Sequence, residues 1–251
     1  MPNASSPVLS AEDRLVLALD FPSADPALAL ARQVQGICGW VKVGLELYLA
    51  EGNSIVAQLR ALGFSVFLDL KLHDIPNTVA GAVRSAAQAG ASLLTVHAAG
   101  GPAMLRAAVA ATDDLRRSGD VPPRLLAVTV LTSMDAAELA AIGIAQPPAE
   151  QVLRLGRMAT DCGVDGLVCS PQEVALLRKE LGATPLLVTP GIRPAGSDAQ
   201  DQKRLATPEA AIAAGANLLV VGRPITQATA PAQAAQQVRN AIADALRGPR
   251  P

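Results

Sequence analysis

The chain has 251 residues, a length that fits one α/β barrel better than two separate domains. Half of the residues are hydrophobic and only 2% are aromatic, so Ala, Val and Leu must supply most of a large buried core. The formal net charge of -1, without any run of Lys or Arg, argues against a nucleic-acid partner.

The first predicted element is a flexible N-terminal segment, residues 1–12, which is polar and rich in Pro and Ser. It lacks the basic region followed by an apolar region that a signal peptide has. No window of the chain approaches 18 uninterrupted apolar residues. We therefore expect a cytoplasmic protein without a membrane partner.

Residues 13–248 are predicted to form one domain in which strands alternate with helices. Eight apolar runs are too short and too rich in β-branched residues to be helices, and a helical segment follows each. The segments after the third and fourth runs begin with Pro and end with Gly, which are typical start and stop signals of a helix. The predicted strands cover residues 14–20, 40–44, 64–70, 92–98, 125–131, 166–170, 186–191 and 217–223.

Eight strand–helix units predict a (β/α)8 TIM barrel, because eight parallel strands close into a cylinder without open sheet edges. The alternative is an open, doubly wound sheet, but no GxGxxG motif follows the first strand, as a dinucleotide-binding sheet would require. The longest irregular stretches, 142–150 and 191–210, follow the fifth and seventh strands. Loops of that length in a barrel are usually active-site loops or lids.

Polar residues occur at the ends of several predicted strands, namely Asp20, Lys42, Asp69, Lys71 and His97. The carboxyl ends of barrel strands form the active face, so these side chains should converge on one mouth. For His97, a structural role inside the fold is an equally good interpretation.

The segment "FLDLKLHDIPNT" places two carboxylates and an ammonium within six residues at the end of the third strand. Asp69 and Lys71 are two residues apart, so both should project into the barrel, while Leu68 and Leu70 face the helices. A buried lysine between carboxylates stays protonated, which makes Lys71 a candidate proton donor. Asp74 could point into its own barrel mouth or across an interface. The alternative is a solvated surface cluster worth ~0–1 kcal/mol per ion pair, which does not suit so apolar a strand.

A phosphate site is predicted after the seventh and eighth strands, where the chain reads "VTPGIRP" and "VVGRPIT". Barrel enzymes commonly bind phosphate there through glycine amides and an arginine. Gly222 and Arg223 fit that role. Arg193 could join them, or could form a salt bridge on the rim.

Metal-binding patterns are missing from the sequence. The three cysteines, Cys38, Cys162 and Cys169, do not have the spacing of a zinc or redox site and are expected to be reduced core residues. His73 and His97 form no HExxH motif. We therefore expect no metal site.

Together these motifs identify a resemblance that runs through nearly the whole chain. In order they are "LALD", "VKVGLEL", "FLDLKLHDIPNT", "TVHAAGG", "VTVLTSM", "VTPGIRP", "DQKR" and "VVGRPIT". The pattern Asp-x-Lys-x-x-Asp-Ile-Pro-Asn-Thr is the most specific of them. The chain resembles the orotidine 5'-phosphate decarboxylases of the bacterial type 1 subfamily.

The resemblance implies that the chain converts orotidine 5'-phosphate to UMP and CO2, the last step of de novo pyrimidine synthesis, without a cofactor or a metal. The implied catalytic residues are Lys42, Asp69, Lys71 and Asp74. Lys71 would protonate C6 of the pyrimidine, and Asp69 would lie against the departing carboxylate. Loss of CO2 from an sp2 carbon leaves a poorly delocalised electron pair, so a cation held beside C6 is the stabilisation that this chemistry needs.

The resemblance also implies substrate contacts and a homodimer. Asp20 and Lys42 would hold the ribose hydroxyls, and Thr132 would contact the pyrimidine edge. The groups that would close around the base and the phosphate are Pro190, Arg193, Gln202, Gly222 and Arg223. Gln200 is a less suitable candidate than Gln202 for the glutamine contact. The residues that would serve the partner subunit's site are Asp74, Ile75 and Thr78.

Two other functions are alternatives. A Mg2+-dependent sugar-phosphate decarboxylase or hexulose-phosphate synthase of the same superfamily would keep the Asp-x-Lys-x-x-Asp pattern, but it should carry a metal-binding glutamate near the end of the second strand. That strand reads "WVKVG", and Lys42 would repel a cation. A phosphate-binding barrel without catalytic activity would have no reason to keep the buried charges around Lys71.

Overall fold

The structure, a computed structural model, describes residues 9–194 and 204–248. Eight parallel strands form a closed barrel in which each strand pairs with the next and β8 pairs with β1. The predicted (β/α)8 barrel is therefore confirmed, and the open sheet is wrong. The strands are Leu15–Leu19 (β1), Trp40–Gly44 (β2), Ser65–Leu72 (β3), Leu93–His97 (β4), Arg124–Val128 (β5), Gly166–Val168 (β6), Leu186–Thr189 (β7) and Leu218–Val221 (β8).

Helices lie outside the barrel and connect its strands. Two short 3-10 helices, Ala98–Gly100 and Pro171–Glu173, follow β4 and β6. Over the same described ranges the α-helices are Ala11–Arg14 (α1), Ala24–Gln33 (α2), Leu45–Glu51 (α3), Asn53–Ala61 (α4), Pro76–Ala89 (α5), Gly101–Arg117 (α6), Ala136–Ala141 (α7), Pro148–Asp161 (α8), Val174–Leu181 (α9), Pro208–Ala213 (α10), Arg223–Thr226 (α11) and Pro231–Arg247 (α12).

The apolar core has two layers, because successive side chains of a strand point to opposite faces. Val16, Phe67 and Leu126 belong to the layer that fills the inside of the barrel. Leu68 and Leu70 pack in the other layer, between the strands and the helices. The predicted outward direction of these two leucines is confirmed, which leaves the alternate positions of β3 for the polar residues of the barrel mouth.

The start and stop signals of α5 act as predicted. Pro76 occupies the first turn, where its missing N–H costs no hydrogen bond. Gly90 ends the helix with φ 85°, in the left-handed region that glycine enters without a steric penalty. The helix therefore begins directly after the "LHDI" turn and fixes the direction in which that turn leaves β3.

The predicted irregular stretches differ in length from the observed ones. Helix α8 begins at Pro148, so the irregular part of 142–150 ends at residue 147. Proline is favoured in the first turn of a helix, and the chain uses the second proline of "QPP" in this way. In the stretch 191–210, α10 begins at Pro208, and residues 195–203 lie outside the described residues.

Residues 1–8 of the predicted N-terminal segment also lie outside the described residues. The remaining part of the segment includes Ser10, whose side chain caps α1 and exchanges hydrogen bonds with Asp13. Across residues 9–194 and 204–248, no helix has both the length and the apolar character needed to cross a bilayer.

Candidate active site

A cleft of about 550 Å³ opens at the carboxyl ends of the strands. Polar and charged side chains from opposite sides of the barrel line it together with apolar residues such as Val128 and Val220. It brings together nine of the residues predicted for the site, namely Asp20, Lys42, Asp69, Lys71, Thr132, Pro190, Arg193, Gly222 and Arg223. Of the five strand-end residues expected to converge on one mouth, Asp20, Lys42, Asp69 and Lys71 line the cleft, and His97 does not.

Charges of alternating sign form a network along one wall of the cleft. The Lys42 ammonium lies 2.8 Å from Oδ1 of Asp20 and 3.6 Å from Oδ2 of Asp69. The Lys71 ammonium lies 2.9 Å from the same Oδ2 of Asp69. The side chains of Lys42 and Asp69 are only 11% and 14% exposed. Asp74 bonds to the Ile75 amide rather than to Lys71, so the alternative, a solvated surface cluster of Asp69, Lys71 and Asp74, is wrong.

The backbone of β3 is irregular at the residue that carries the central ammonium. Lys71 has φ 49°, in the left-handed region that few residues other than glycine enter. Between Leu68 and Leu72 the pairing of β3 with β4 shifts in register, which marks a bulge. Strained backbone of this kind clusters at functional sites.

Two opposing effects set the ionisation of Asp69. Its burial alone would raise the pKa of the carboxyl group, because removal from water disfavours the charged form. The charges of Lys42 and Lys71, with hydrogen bonds from Lys71 and Thr95, outweigh burial and hold the pKa of Asp69 below its usual value. At neutral pH the site therefore contains a carboxylate between two cations.

The turn after β3 lies outside this network. Oδ1 of Asp74 accepts a hydrogen bond from the Ile75 amide at 2.6 Å, and Asp74, Ile75 and Thr78 are all exposed on the single chain. These three residues are not among those lining the chain's own cleft. The sequence left two directions open for Asp74, into its own barrel mouth or across an interface. In the structure Asp74 does not line its own barrel mouth.

The opposite wall of the cleft carries the two predicted arginines. Arg193 follows β7, is only 8% exposed, and donates a hydrogen bond to the Ile192 carbonyl at 3.0 Å. Burial and the nearby charge of Arg223 lower the pKa of Arg193 from its ordinary value. It lies in the wall of the cleft rather than on its rim. Both arginines line the same cleft, and two cations there suit a doubly charged anion such as a phosphate.

Some predicted residues stand apart from the cleft. Gln200 and Gln202 lie outside the described residues. His97 does not line the cleft; its ring stacks on that of His73 with a centroid distance of 5.3 Å. Burial, together with His73 and Lys71, lowers the pKa of His97, which favours its neutral form.

Sequence reasoning missed a fully buried threonine beside the network. Thr95 lies on β4, and its hydroxyl contacts both Asp69 and the Lys71 amide. The available signal was its position two residues before His97 on the same strand, which places it on the inner face. It was missed because threonine is common in strands for reasons of packing alone.

A second missed contact joins three loops of the active face. The Arg204 guanidinium forms a buried ion pair with Glu173 and donates a hydrogen bond to the Leu131 carbonyl at 2.9 Å. Glu173 also accepts hydrogen bonds from the amide and the hydroxyl of Ser170. The loops after β5, β6 and β7 are therefore held to one another beside the cleft.

The residues of the described ranges contain no group of three or more His, Cys, Asp or Glu side chains placed to hold a metal ion. The two cleft carboxylates, Asp20 and Asp69, are both in contact with Lys42. A divalent cation bridging the two carboxylates would have to compete with that ammonium.

Comparison with known proteins agrees with this geometry. The family model described as "Orotidine 5'-phosphate decarboxylase / HUMPS family" matches residues 13–238. The orotidine 5'-phosphate decarboxylases of Anaeromyxobacter sp. (strain K) and Halorhodospira halophila are both 54% identical to this chain. The first match covers 90% of this chain and 96% of the relative, and the second covers 92% and 97%.

Solved structures share the fold and much of the sequence. A crystal structure of orotidine 5'-phosphate decarboxylase from Lactobacillus acidophilus has a TM-score of 0.79 and 38% identity, and covers 92% of this chain and 99% of its own. An uncharacterized conserved protein from Geobacillus kaustophilus has a TM-score of 0.80 and 40% identity, and covers 91% and 99%. With the family model and these relatives covering nearly all of the barrel, the chain belongs to the orotidine 5'-phosphate decarboxylase / HUMPS family.

Proposed function

We propose that the protein is an orotidine 5'-phosphate decarboxylase, which converts orotidine 5'-phosphate to UMP and CO2 without a cofactor or a metal. The observation that carries the proposal is the Lys42–Asp69–Lys71 network in the mouth of the barrel, in which Lys42 and Asp69 are mostly buried. Relatives with this name at 54% identity support it. The cytoplasmic location stays a prediction.

The network suits a reaction that develops negative charge on carbon. As the bond between C6 and the carboxylate breaks, its electron pair stays on C6 and CO2 leaves as a neutral molecule. The Lys71 ammonium then gives one proton to C6 and becomes a neutral amine, which is reprotonated from solvent. Because Asp69 and the barrel hold this ammonium in place beforehand, little reorganisation is needed when the charge appears.

Asp69 would have a second effect on the substrate. Its carboxylate would lie against the substrate carboxylate, and the two negative charges would repel each other until CO2 leaves. We treat stabilisation of the carbanion as the primary effect and this repulsion as the secondary one. The Lys42 ammonium, on β2, lies 2.8 Å from Oδ1 of Asp20, which directly follows β1. These two groups suit the ribose hydroxyls.

The other wall of the cleft would bind the distal parts of the substrate. Arg193 and Arg223, with Gly222 at the start of α11, suit the phosphate, and Pro190 and Thr132 suit the base. Gln202, outside the described residues, would complete this set. Binding energy from the non-reacting phosphate can be used to assemble the charged wall around the reacting carbon.

We further propose a homodimer in which the turn after β3 enters the partner's site. Ile75 is 67% exposed on the single chain, and a partner subunit would cover this apolar side chain. Asp74 and Thr78 are exposed in the same turn and do not line their own cleft, so their predicted contacts require a second subunit.

A direct assay of orotidine 5'-phosphate turnover tests the activity. The wild type and a Lys179→Ala variant, altered at an exposed lysine of α9, should turn over the substrate equally well. Lys71→Ala should lose on the order of 100-fold or more, since it removes the proton donor and the fixed cation. Absence of turnover in the wild type would favour a phosphate-binding barrel without catalytic activity. Full activity of Lys71→Ala would remove the assignment of this lysine.

A subunit-mixing assay tests the shared site. Lys71→Ala and Asp74→Ala variants, each inactive alone, would be dissociated, mixed and allowed to reassociate. If Asp74 serves the partner, each mixed dimer contains one site with both residues intact, so about a quarter of the wild-type activity should return. If Asp74 serves its own barrel, every site lacks one residue and no activity returns.

The matching family carries two names, so a second enzyme type within it is the rival. We expect that rival to require Mg2+. The Lys42 ammonium between Asp20 and Asp69 disfavours a divalent cation at that position. Turnover of orotidine 5'-phosphate that is unaffected by EDTA supports the decarboxylase. Loss of activity on chelation, restored by Mg2+, would support the rival.

A further inference from the structure

Thr95 contacts two residues of the charged wall but does not itself line the cleft. It belongs to β4, is fully buried, and makes two hydrogen bonds to β3. Its Oγ1 accepts a hydrogen bond from the Lys71 amide at 2.8 Å and donates one to Oδ1 of Asp69 at 3.1 Å. One hydroxyl therefore touches both residues that are proposed to act on C6.

The first of these bonds supports an irregular backbone. Between Leu68 and Leu72 the β3–β4 pairing shifts in register, and Lys71 lies inside this bulge with φ 49°. A bulge takes amides out of the regular ladder, and a buried amide needs another acceptor. The Thr95 hydroxyl is that acceptor, so it stabilises the backbone conformation that sets the direction of the Lys71 side chain.

The second bond orients the shared carboxylate. Lys42 and Lys71 both contact Oδ2 of Asp69, and Thr95 contacts Oδ1. Because the Lys71 amide donates to the hydroxyl oxygen, the hydroxyl hydrogen is left to point at Asp69. The two carboxylate oxygens are therefore held from different strands, which fixes the plane of the group as well as its position.

We infer that Thr95 is a positioning residue of the decarboxylation site, acting through the Lys71 backbone and the Asp69 carboxylate. The inference rests on the proposed function for its kinetic consequence, but its structural part does not depend on any substrate. Without the hydroxyl, the bulge loses its acceptor and Asp69 loses a donor. The ammonium and the carboxylate then lose the fixed geometry on which proton transfer depends.

The test compares Thr95→Val, which removes the hydroxyl at nearly constant volume, with Thr95→Ser, which keeps it. Thr129→Val is the matched control, because Thr129, directly after β5, is also a buried threonine, and its hydroxyl donates to the Val168 carbonyl at 3.1 Å. In Thr95→Val, kcat should fall on the order of 10- to 100-fold while KM changes less than about threefold. Thr95→Ser and Thr129→Val should stay within about threefold of the wild type in both constants.

Two measurements without substrate separate this inference from the proposed function. The charged and polar groups facing Asp69 are Lys42 from β2, Lys71 from β3 and Thr95 from β4. Loss of the Thr95 donor should raise the pKa of Asp69, which NMR titration of the Asp69 carboxyl carbon measures directly. Exchange of the Lys71 amide hydrogen should also become faster, and serine should restore both properties.

The outcomes are distinct. Changes in the Asp69 titration and in Lys71 exchange, with no turnover of orotidine 5'-phosphate even by the wild type, would refute the proposed function and leave the positioning contact in place. An active wild type with kcat, titration and exchange all unchanged in Thr95→Val would refute the positioning role. If Thr95→Val does not fold, the same three readouts in Thr95→Ala and Thr95→Ser decide between these results.

Discussion

Replacing Asp69 with Asn should destabilise the protein even when no substrate is present. Its Oδ2 lies 2.9 Å from the Lys71 ammonium and 3.6 Å from the Lys42 ammonium, and the Asp69 side chain is mostly buried. Unit charges 4 Å apart interact by about 4 kcal/mol at the effective dielectric of a protein surface, and breaking a buried pair typically costs about 3–5 kcal/mol. Water screens the Lys71 side chain, which is 34% exposed, so we expect a loss of about 2–4 kcal/mol at pH 7.

The pH dependence of this loss has a defined sign. Burial alone would raise the pKa of Asp69, but the lysines and hydrogen bonds lower it below the value of the unfolded chain, about 3.9. The stabilisation is therefore fully present above about pH 4 and is lost as the pH falls through the lower, folded-state pKa. The difference between the wild type and Asp69→Asn should shrink in that acidic window.

Urea unfolding at fixed protein concentration, between pH 7 and pH 3, measures both quantities. Asp244→Asn is the control, since Asp244 forms an exposed ion pair with Arg247 on α12 and should cost about 0–1 kcal/mol. A cost for Asp69→Asn as small as that of the control would refute the reasoning. So would a large difference that persists unchanged at the acidic end of the range.

Three further predictions concern the arginine wall, the loop contacts and the metal requirement. Arg223→Ala should reduce turnover of orotidine 5'-phosphate by on the order of 10- to 100-fold. Turnover of orotidine, which lacks the phosphate, should stay nearly unchanged. Equal losses for both substrates would remove the assignment of Arg223 to the phosphate. Glu173→Gln should cost about 3–5 kcal/mol in urea unfolding, because it leaves the buried Arg204 without its charged partner, whereas Glu180→Gln, in a more exposed pair, should cost under about 1 kcal/mol. EDTA should leave kcat unchanged, and a loss reversed by Mg2+ would contradict the metal-free mechanism.

Much of the barrel could be predicted because strand residues alternate strictly between two faces. That alternation placed Asp69 inside and Leu68 outside, and the structure agrees. It also placed Lys71 in the mouth, where the side chain is found despite a bulge. The alternation gives the face of a residue but not its partner on the next strand, because a register shift changes the partner without changing the sequence pattern.

The contacts of Thr95 and Arg204 could not be predicted for this reason. Thr95 meets Lys71 only because the β3–β4 register shifts, and nothing in "FLDLKL" signals a left-handed residue, since no glycine or asparagine stands there. Arg204 meets Glu173 across two different loops, and the sequence offers many carboxylates as alternatives. Loop geometry depends on packing between elements, which a local pattern does not encode.

The two walls of the cleft differ in charge in a way that bears on the proposed mechanism. On one wall the ammoniums of Lys42 and Lys71 are matched by Asp20 and Asp69, so this wall offers little net attraction to a substrate carboxylate. The other wall carries Arg193 and Arg223, which suit a phosphate. Affinity for the nucleotide should therefore come mainly from the arginine wall. The wall of paired lysines and carboxylates should contribute in the chemical step instead. There the Lys71 ammonium is already in place to stabilise the electron pair that forms on C6, while the repelled substrate carboxylate becomes neutral CO2.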